Sequence, residues 1–145
     1  MADKSADGPY AGEISCKDAW DMLSENDQAQ IIDVRTRAEW SYVGIPDLSN
    51  LGKQPLLIEW QDFPAGNKNP MFGEQVESLG LDKDTPLLLL CRSGVRSKHA
   101  AVLLTALGYT QAMNVTHGFE GDPDELKHRS TKNGWRFDGL PWVQG

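Results

Sequence analysis

Short apolar runs alternate along this chain with stretches in which apolar residues recur at helical spacing. Ile14-Ser15 closes a short strand and opens a helix, because Ser15 and Asp18 form a capping pair while Trp20 and Leu23 share a face, so a helix is expected over about Cys16 to Ser24. Gln30-Ile31-Ile32-Asp33-Val34 is short, β-branched and apolar, the pattern of a strand covered on both faces. Thr36 caps a short helix that runs to about Tyr42. Pro55 to Trp60 reads as another strand ahead of a Pro, Gly and Asn-rich loop, Phe63 to Pro70. A helix over Phe72 to Leu79 is stopped by Gly80, and Leu87 to Leu90 is a buried strand that runs directly into Cys91. Ser97 to Leu107 carries Ala100, Leu103, Leu104 and Leu107 at helical spacing and stops at Gly108. Tyr109 to Val115 reads as the next strand, an acidic helix is expected over about Asp122 to His128, and the aromatic tail Gly134 to Trp142 is expected to pack on the body. Strands alternating with helices imply an α/β fold with a largely parallel central sheet and helices on both faces, since parallel strands need crossover connections.

Length and charge narrow the picture. A chain of 145 residues fits one domain, and 39% hydrophobic residues with five Trp, four Phe and three Tyr suffice for one core. Residues 1–12 mix Asp, Lys, Ser, Gly and Pro with one aromatic and are expected to be a flexible lead-in to a single domain over residues 13–145. A formal net charge of −7 disfavours nucleic acid and anionic membrane surfaces as partners. No stretch approaches the roughly 18 consecutive apolar residues of a membrane helix and the start lacks an apolar signal core, so a cytoplasmic protein is expected. A monomer is the expected state. Two cysteines could form at most one bridge, and a thiol role is expected ahead of a staple.

In open parallel sheets the functional crevice lies beyond the carboxyl ends of the strands, and two strands here end in polar segments, Asp33-Val34-Arg35 and Cys91-Arg92-Ser93-Gly94-Val95-Arg96-Ser97. The second has the ingredients of an anion cradle, because successive N–H groups can turn inward around the sulfur and a following helix adds its positive end. With Arg92 and Arg96 nearby these effects favour thiolate over thiol, which makes Cys91 a candidate nucleophile for an anionic substrate. Cys91 could instead simply continue the leucine run into the core, yet Arg-Ser-Gly makes poor core. Cys16, at the start of an amphipathic helix, is expected to be a semi-exposed bystander. Asp33 and Arg35 are expected to fix loop geometry at a strand end, with Ser97 supporting the loop. His99, His117 and His128 show no metal-ligand spacing, and no dinucleotide fingerprint, P-loop or Ser-His-Asp arrangement is present, so neither a metal nor a cofactor is implied.

Together these residues resemble the rhodanese-like superfamily. Ile31-Ile32-Asp33-Val34-Arg35 with Glu39-Trp40 resembles its Asp-Val-Arg and Glu-aromatic signature, Gly44-Ile45-Pro46 its Gly-His-Ile-Pro step without the His, and Leu87 to Ser97 its active-site loop. Gly108-Tyr109, Val115 with Gly118-Phe119, and Gly139-Leu140-Pro141-Trp142 extend the likeness over about Ile14 to Trp142, while Leu51 to Pro70 looks longer than usual. The resemblance implies a rhodanese-like fold and one of two chemistries. Phosphatases and arsenate reductases of the superfamily resemble Cys-x5-Arg, whereas Cys91 to Arg96 is Cys-x4-Arg, the tighter loop of its sulfurtransferases. The likeness therefore implies a sulfurtransferase that carries sulfane sulfur as a Cys91 persulfide, with Arg92, Ser93, Gly94, Val95 and Arg96 binding a thiosulfate-like anion. The acceptor would be a thiol, a cyanide-like nucleophile or a protein. A different reading is a module that binds a protein partner or relays sulfur without independent turnover, with Trp60, Phe63 and Phe72 in the Pro55 to Phe72 segment as an interaction face.

Overall fold

A computed structural model describes residues 8–144. In chain order the elements are β1 (Gly12–Ile14), α1 (Cys16–Glu25), β2 (Gln30–Asp33), α2 (Arg37–Tyr42), β3 (Ile45–Pro46), β4 (Leu56–Leu57), α3 (Phe72–Glu77), β5 (Leu87–Leu90), α4 (Val95–Ala106), β6 (Ala112–Val115) and β7 (Trp142–Val143). Five strands form one parallel sheet in the order β1-β6-β5-β2-β4, and β3 pairs with β7 antiparallel beside it.

The leucine run takes the centre because it has no polar side chain to keep either face wet. All four residues of β5 are fully buried, between β2 and β6. Their alternation splits the core in two. Leu87 and Leu89 pack with Phe72 and Val76 of α3 and with Ala100, Ala101 and Leu104 of α4. Leu88 and Leu90 pack with Ala19 and Leu23 of α1 and with Phe119 and Trp135. Helices therefore cover both faces of a parallel sheet, the architecture that the strand and helix alternation implied.

The aromatic tail docks as expected: Trp135 is fully buried, meets the Trp20 ring edge-on at 6.0 Å and donates its indole N–H to Pro141 O at 2.7 Å. Of the expected lead-in, residues 1–7 lie outside the described residues. The rest is tied down, with Tyr10 against the core and Ala11 N–H donating to Ala112 O at 3.0 Å.

Four expectations need correction. The helix after the Cys91 loop begins at Val95, two residues before Ser97, because Gly94 turns the chain in a left-handed conformation and caps it. No helix forms over Asp122 to His128: the Asp124 carboxylate accepts from the N–H groups of Leu126 and His128, and this local competitor replaces the helical ladder. The strand expected over Pro55 to Trp60 is regular only at Leu56–Leu57, although Ile58 and Trp60 still donate to Asp33 O and Val34 O of the chain beside them. Trp60 and Phe72 form no surface: they are 4% and 1% exposed and pack edge to face at 5.2 Å, which leaves Phe63 as the exposed aromatic of that trio.

The long segment after β3 has a structural task of its own. The ammonium of Lys53 reaches the C-terminal end of α1 and donates to Leu23 O, Asn26 O and Ala29 O at 2.9, 2.7 and 2.9 Å. These carbonyls include ones that a helix end leaves without backbone donors, and a cation there also suits the helix dipole. Lys53→Met keeps the stem and removes all three bonds. It should lower the unfolding free energy by about 1–3 kcal/mol, read from the urea midpoint. An unchanged midpoint would mean that water serves these carbonyls equally well.

Candidate active site beyond the ends of β2, β5 and β6

β5 delivers Cys91 to the carboxyl edge of the sheet. Val34 N–H donates to Leu90 O at 2.8 Å, so the last residue of the strand is still held when the chain turns away. The next two carbonyls are taken by a neighbouring segment: Phe119 N–H donates to Cys91 O at 2.8 Å, and Glu120 and Gly121 N–H donate to Arg92 O at 3.0 and 3.1 Å. Two glycines allow backbone to lie on backbone here. A Cβ on Gly118 (φ 66°) would sit 2.4 Å from Cys91 O, and one on Gly94 (φ 109°) 2.3 Å from Thr116 O.

With its carbonyls turned outward, the loop turns an amide toward the sulfur. Gly94 N–H donates to Cys91 Sγ at 3.1 Å, and α4 starts one residue later. Ser97 Oγ, one turn into that helix, lies 3.1 Å from the sulfur and in a short hydrogen bond to Asn114 Oδ1. Asn114 Nδ2 donates in turn to Gly94 O at 3.0 Å and to the Glu13 carboxylate at 3.0 and 3.2 Å. Cys91, Ser97 and Asn114 are all within 3% of full burial.

Arg96 ends the loop and faces Glu39. Its Nη1 and Nη2 donate to the two carboxylate oxygens at 2.8 and 3.0 Å, a bidentate pair. The same carboxylate closes the capping box of α2 by accepting from Thr36 N–H and from the Thr36 hydroxyl. Burial alone would push the Glu39 carboxyl up, but the Arg96 bonds and charge, the Thr36 N–H and the charge of Arg35 outweigh it and hold it down at about 2. Burial alone would lower Arg96, and the Glu39 bonds and charge leave it raised. Arg92 is exposed. With Thr36, Tyr42, Asp62, Phe63 and Glu120 it lines a cleft of about 560 Å³ beside the loop.

Asp33 and Arg35 are fully buried and bind each other, Nε to Oδ1 at 2.9 Å and Nη2 to Oδ2 at 2.6 Å, with Nη2 also donating to Gly44 O at 2.7 Å. The guanidinium lies over the Phe119 ring at 4.3 Å. The pair ties the end of β2 to Gly44 and to the Phe119 segment that lies against the Cys91 loop. Cys16 is not semi-exposed: it is 2% exposed because the first turn of α1 faces the sheet, and its thiol donates to Gly118 O at 3.4 Å. Burial, with the nearby Asp138 charge, pushes that thiol up to about 12 and keeps it protonated. His117 sits on the surface, 3.7 Å from Asp122.

Glu39, Asn114 and Glu13 were not singled out from the sequence as site residues. Glu39 carried a signal for capping rather than for Arg96. Asn114 is a polar residue inside a buried strand, and that pattern was the available clue.

The family described as the STR4 middle domain matches residues 11–145. An uncharacterized protein of Rickettsia rickettsii is 41% identical over 125 residues, covering 86% of this chain and 90% of that protein. Thiosulfate sulfurtransferase GlpE of Actinobacillus pleuropneumoniae serotype 5b is 25% identical over 129 residues, covering 89% of this chain and 90% of that one. The crystal structure of Rv0390 from M. tuberculosis superposes with a TM-score of 0.85 at 46% identity, covering 94% of this chain and all of that one.

The Glu39 carboxylate gains its partners as the anion, so its contribution to stability is complete above its ordinary value of 4.5 and is lost as pH falls toward about 2. Glu39→Gln should destabilise the protein at neutral pH and flatten this part of its acid sensitivity. Thermal unfolding across that window tests it; parent and variant curves that stay parallel would contradict the assignment.

Proposed function

On the premise that the chain belongs to the rhodanese-like superfamily, and with it shares a sulfurtransferase-family role, we propose that Cys91 carries sulfane sulfur as a persulfide, taken from a thiosulfate-like donor and passed to a thiophilic acceptor. The observation that carries the reading is the Cys91 sulfur at the head of α4, with the Gly94 N–H on it and the loop closed after four intervening residues by an Arg96 that Glu39 holds. The Cys91 thiolate attacks the outer sulfur of the donor, the donor S–S bond breaks, and sulfite leaves with the bonding pair. An acceptor nucleophile then attacks the outer sulfur of the persulfide, and Cys91 departs as thiolate. Amide donors at a helix start suit the charge that develops at both steps.

The two arginines divide the work. Arg96 is committed to Glu39 and sets the width of the loop, whereas Arg92 stands exposed in the cleft and is the cation available to the donor's anionic end. A protein thiol as acceptor gains support from the exposed rings of Tyr42 and Phe63 on the same cleft. In that case sulfur loading persists while turnover with small thiols is slow.

Exposure to thiosulfate should add one sulfur atom to the intact mass, removable by reductant. Cys91→Ser should abolish loading and thiosulfate-to-cyanide transfer, and Cys16→Ser should leave both nearly intact. Substantial transfer by the Cys91 variant would sink the proposal. Arg92→Ala should reduce kcat/KM for thiosulfate about fivefold, roughly the 1 kcal/mol of a solvent-exposed ion pair, with unfolding unchanged. Early melting with normal thiosulfate use would instead make Arg92 a fold residue.

A further inference from the structure

Ser97 has one hydroxyl proton and two acceptors within reach. The Cys91 sulfur lies 3.1 Å away, and Asn114 Oδ1 lies at a short hydrogen-bond distance on the other side. The neighbours of Asn114 decide between them. Its amide nitrogen faces acceptors alone, Gly94 O and the two Glu13 oxygens, so the amide cannot be turned over without placing oxygen against oxygen. Oδ1 must then face Ser97, and two oxygens this close require a proton between them, which only the Ser97 hydroxyl can supply. Ser97 consequently shows lone pairs to the sulfur, an arrangement that suits a thiol donating its own S–H.

The lock is anchored outside the loop. Glu13 is an exposed residue of β1, Tyr10 Oη donates to its carboxylate, and the Lys98 ammonium lies 5.9 Å from the Tyr10 ring centroid. A continuous chain of hydrogen bonds thus joins the surface at Tyr10 and Glu13 to the buried sulfur through Asn114 and Ser97.

We propose that Asn114, oriented by Glu13 and Gly94 O, is a positioning residue that holds the Ser97 hydroxyl away from Cys91 in the resting protein, and that this hydroxyl turns to the sulfur when the thiol proton has left to solvent. The assignment rests on the reading of Cys91 as the reactive sulfur. Its effect is restraint: Asn114 competes with the sulfur for one donor, so the unloaded thiol is less reactive than the Gly94 amide and the start of α4 would otherwise make it.

Alkylation of Cys91 by iodoacetamide at neutral pH, in a Cys16→Ser background, tests the lock without requiring sulfur transfer. Asn114→Leu frees the Ser97 hydroxyl and should speed alkylation about three- to tenfold, the scale of one hydrogen bond. In a Ser97→Ala background the same substitution should change the rate less than about twofold, and with Ser97→Thr, which keeps the hydroxyl, the acceleration should return. A folded Asn114→Leu protein with an unchanged rate overturns the proposal. So does an equal acceleration in the Ser97→Ala background, which would show Asn114 acting by packing alone. Should Asn114→Leu fail to fold, Glu13→Ala at the exposed end loosens the same amide and should give a rise of about twofold that also depends on Ser97, and no rise refutes the lock. A protein that alkylates as described but takes up no sulfur from thiosulfate would defeat the sulfur-transfer reading and leave the lock standing. One that loads sulfur yet ignores Asn114 would do the reverse.

Discussion

The contact of the 91–94 main chain with the 116–121 main chain is the constraint on which the rest of the site depends. Two glycines make it: a side chain at Gly94 or Gly118 would overlap carbonyl oxygens at 2.3 or 2.4 Å, far inside van der Waals contact. Because the Cys91 and Arg92 carbonyls are drawn to Phe119, Glu120 and Gly121, the Gly94 amide is left to face the sulfur. Because Gly94 takes up the turn, α4 starts at once and its first, uncompensated amides stand behind the loop. Backbone thus supplies the amide that meets the sulfur.

Two pairs of opposite charges hold that backbone. Asp33 with Arg35 and Glu39 with Arg96 are the paired charges around the loop, one pair fully buried and the other with side chains 19% exposed. Taking a guanidinium out of water is expensive, and each pair offsets part of the loss with two-pronged geometry and additional partners: Gly44 O and the Phe119 face for Arg35, whose buried Nη1 is still without a hydrogen-bond partner among the described residues, and a carboxylate already serving the α2 cap for Arg96. Removing one member of either pair would strand the other, which makes these residues determinants of loop shape. The chain as a whole carries −7, so on the proposed reading attraction of an anion would have to be local, and exposed Arg92 is the cation placed to supply it.

The loop and its surroundings give the two cysteines different environments. Cys16 meets a carbonyl and low-dielectric core, which stabilise its protonated form. Cys91 meets an amide and a hydroxyl that can serve as either donor or acceptor. Both are buried to nearly the same degree, so exposure does not separate them. The polarity of the nearest hydrogen-bonding group does.

Local physics was legible in the sequence wherever neighbouring residues settle it. The leucine run reads as a buried strand and Ser15 and Thr36 as helix caps, since apolar periodicity and capping act over a few residues, while the tightness of the Cys-x4-Arg loop is legible through the family resemblance. At Asp122 to His128 a short-range competitor, the Asp124 carboxylate with its two amides, overrides the helical pattern. Other features belong to pairs far apart in the chain. Glu39 meets Arg96 across 57 positions and Asn114 meets Glu13 across 101. The burial of Trp60 and Phe72 depends on which face of the sheet their segment crosses, and that of Cys16 on the direction in which α1 docks. No local pattern encodes such meetings. They depend on the order in which the strands assemble, and the sheet order β1-β6-β5-β2-β4 was decided only when the chain folded back on itself.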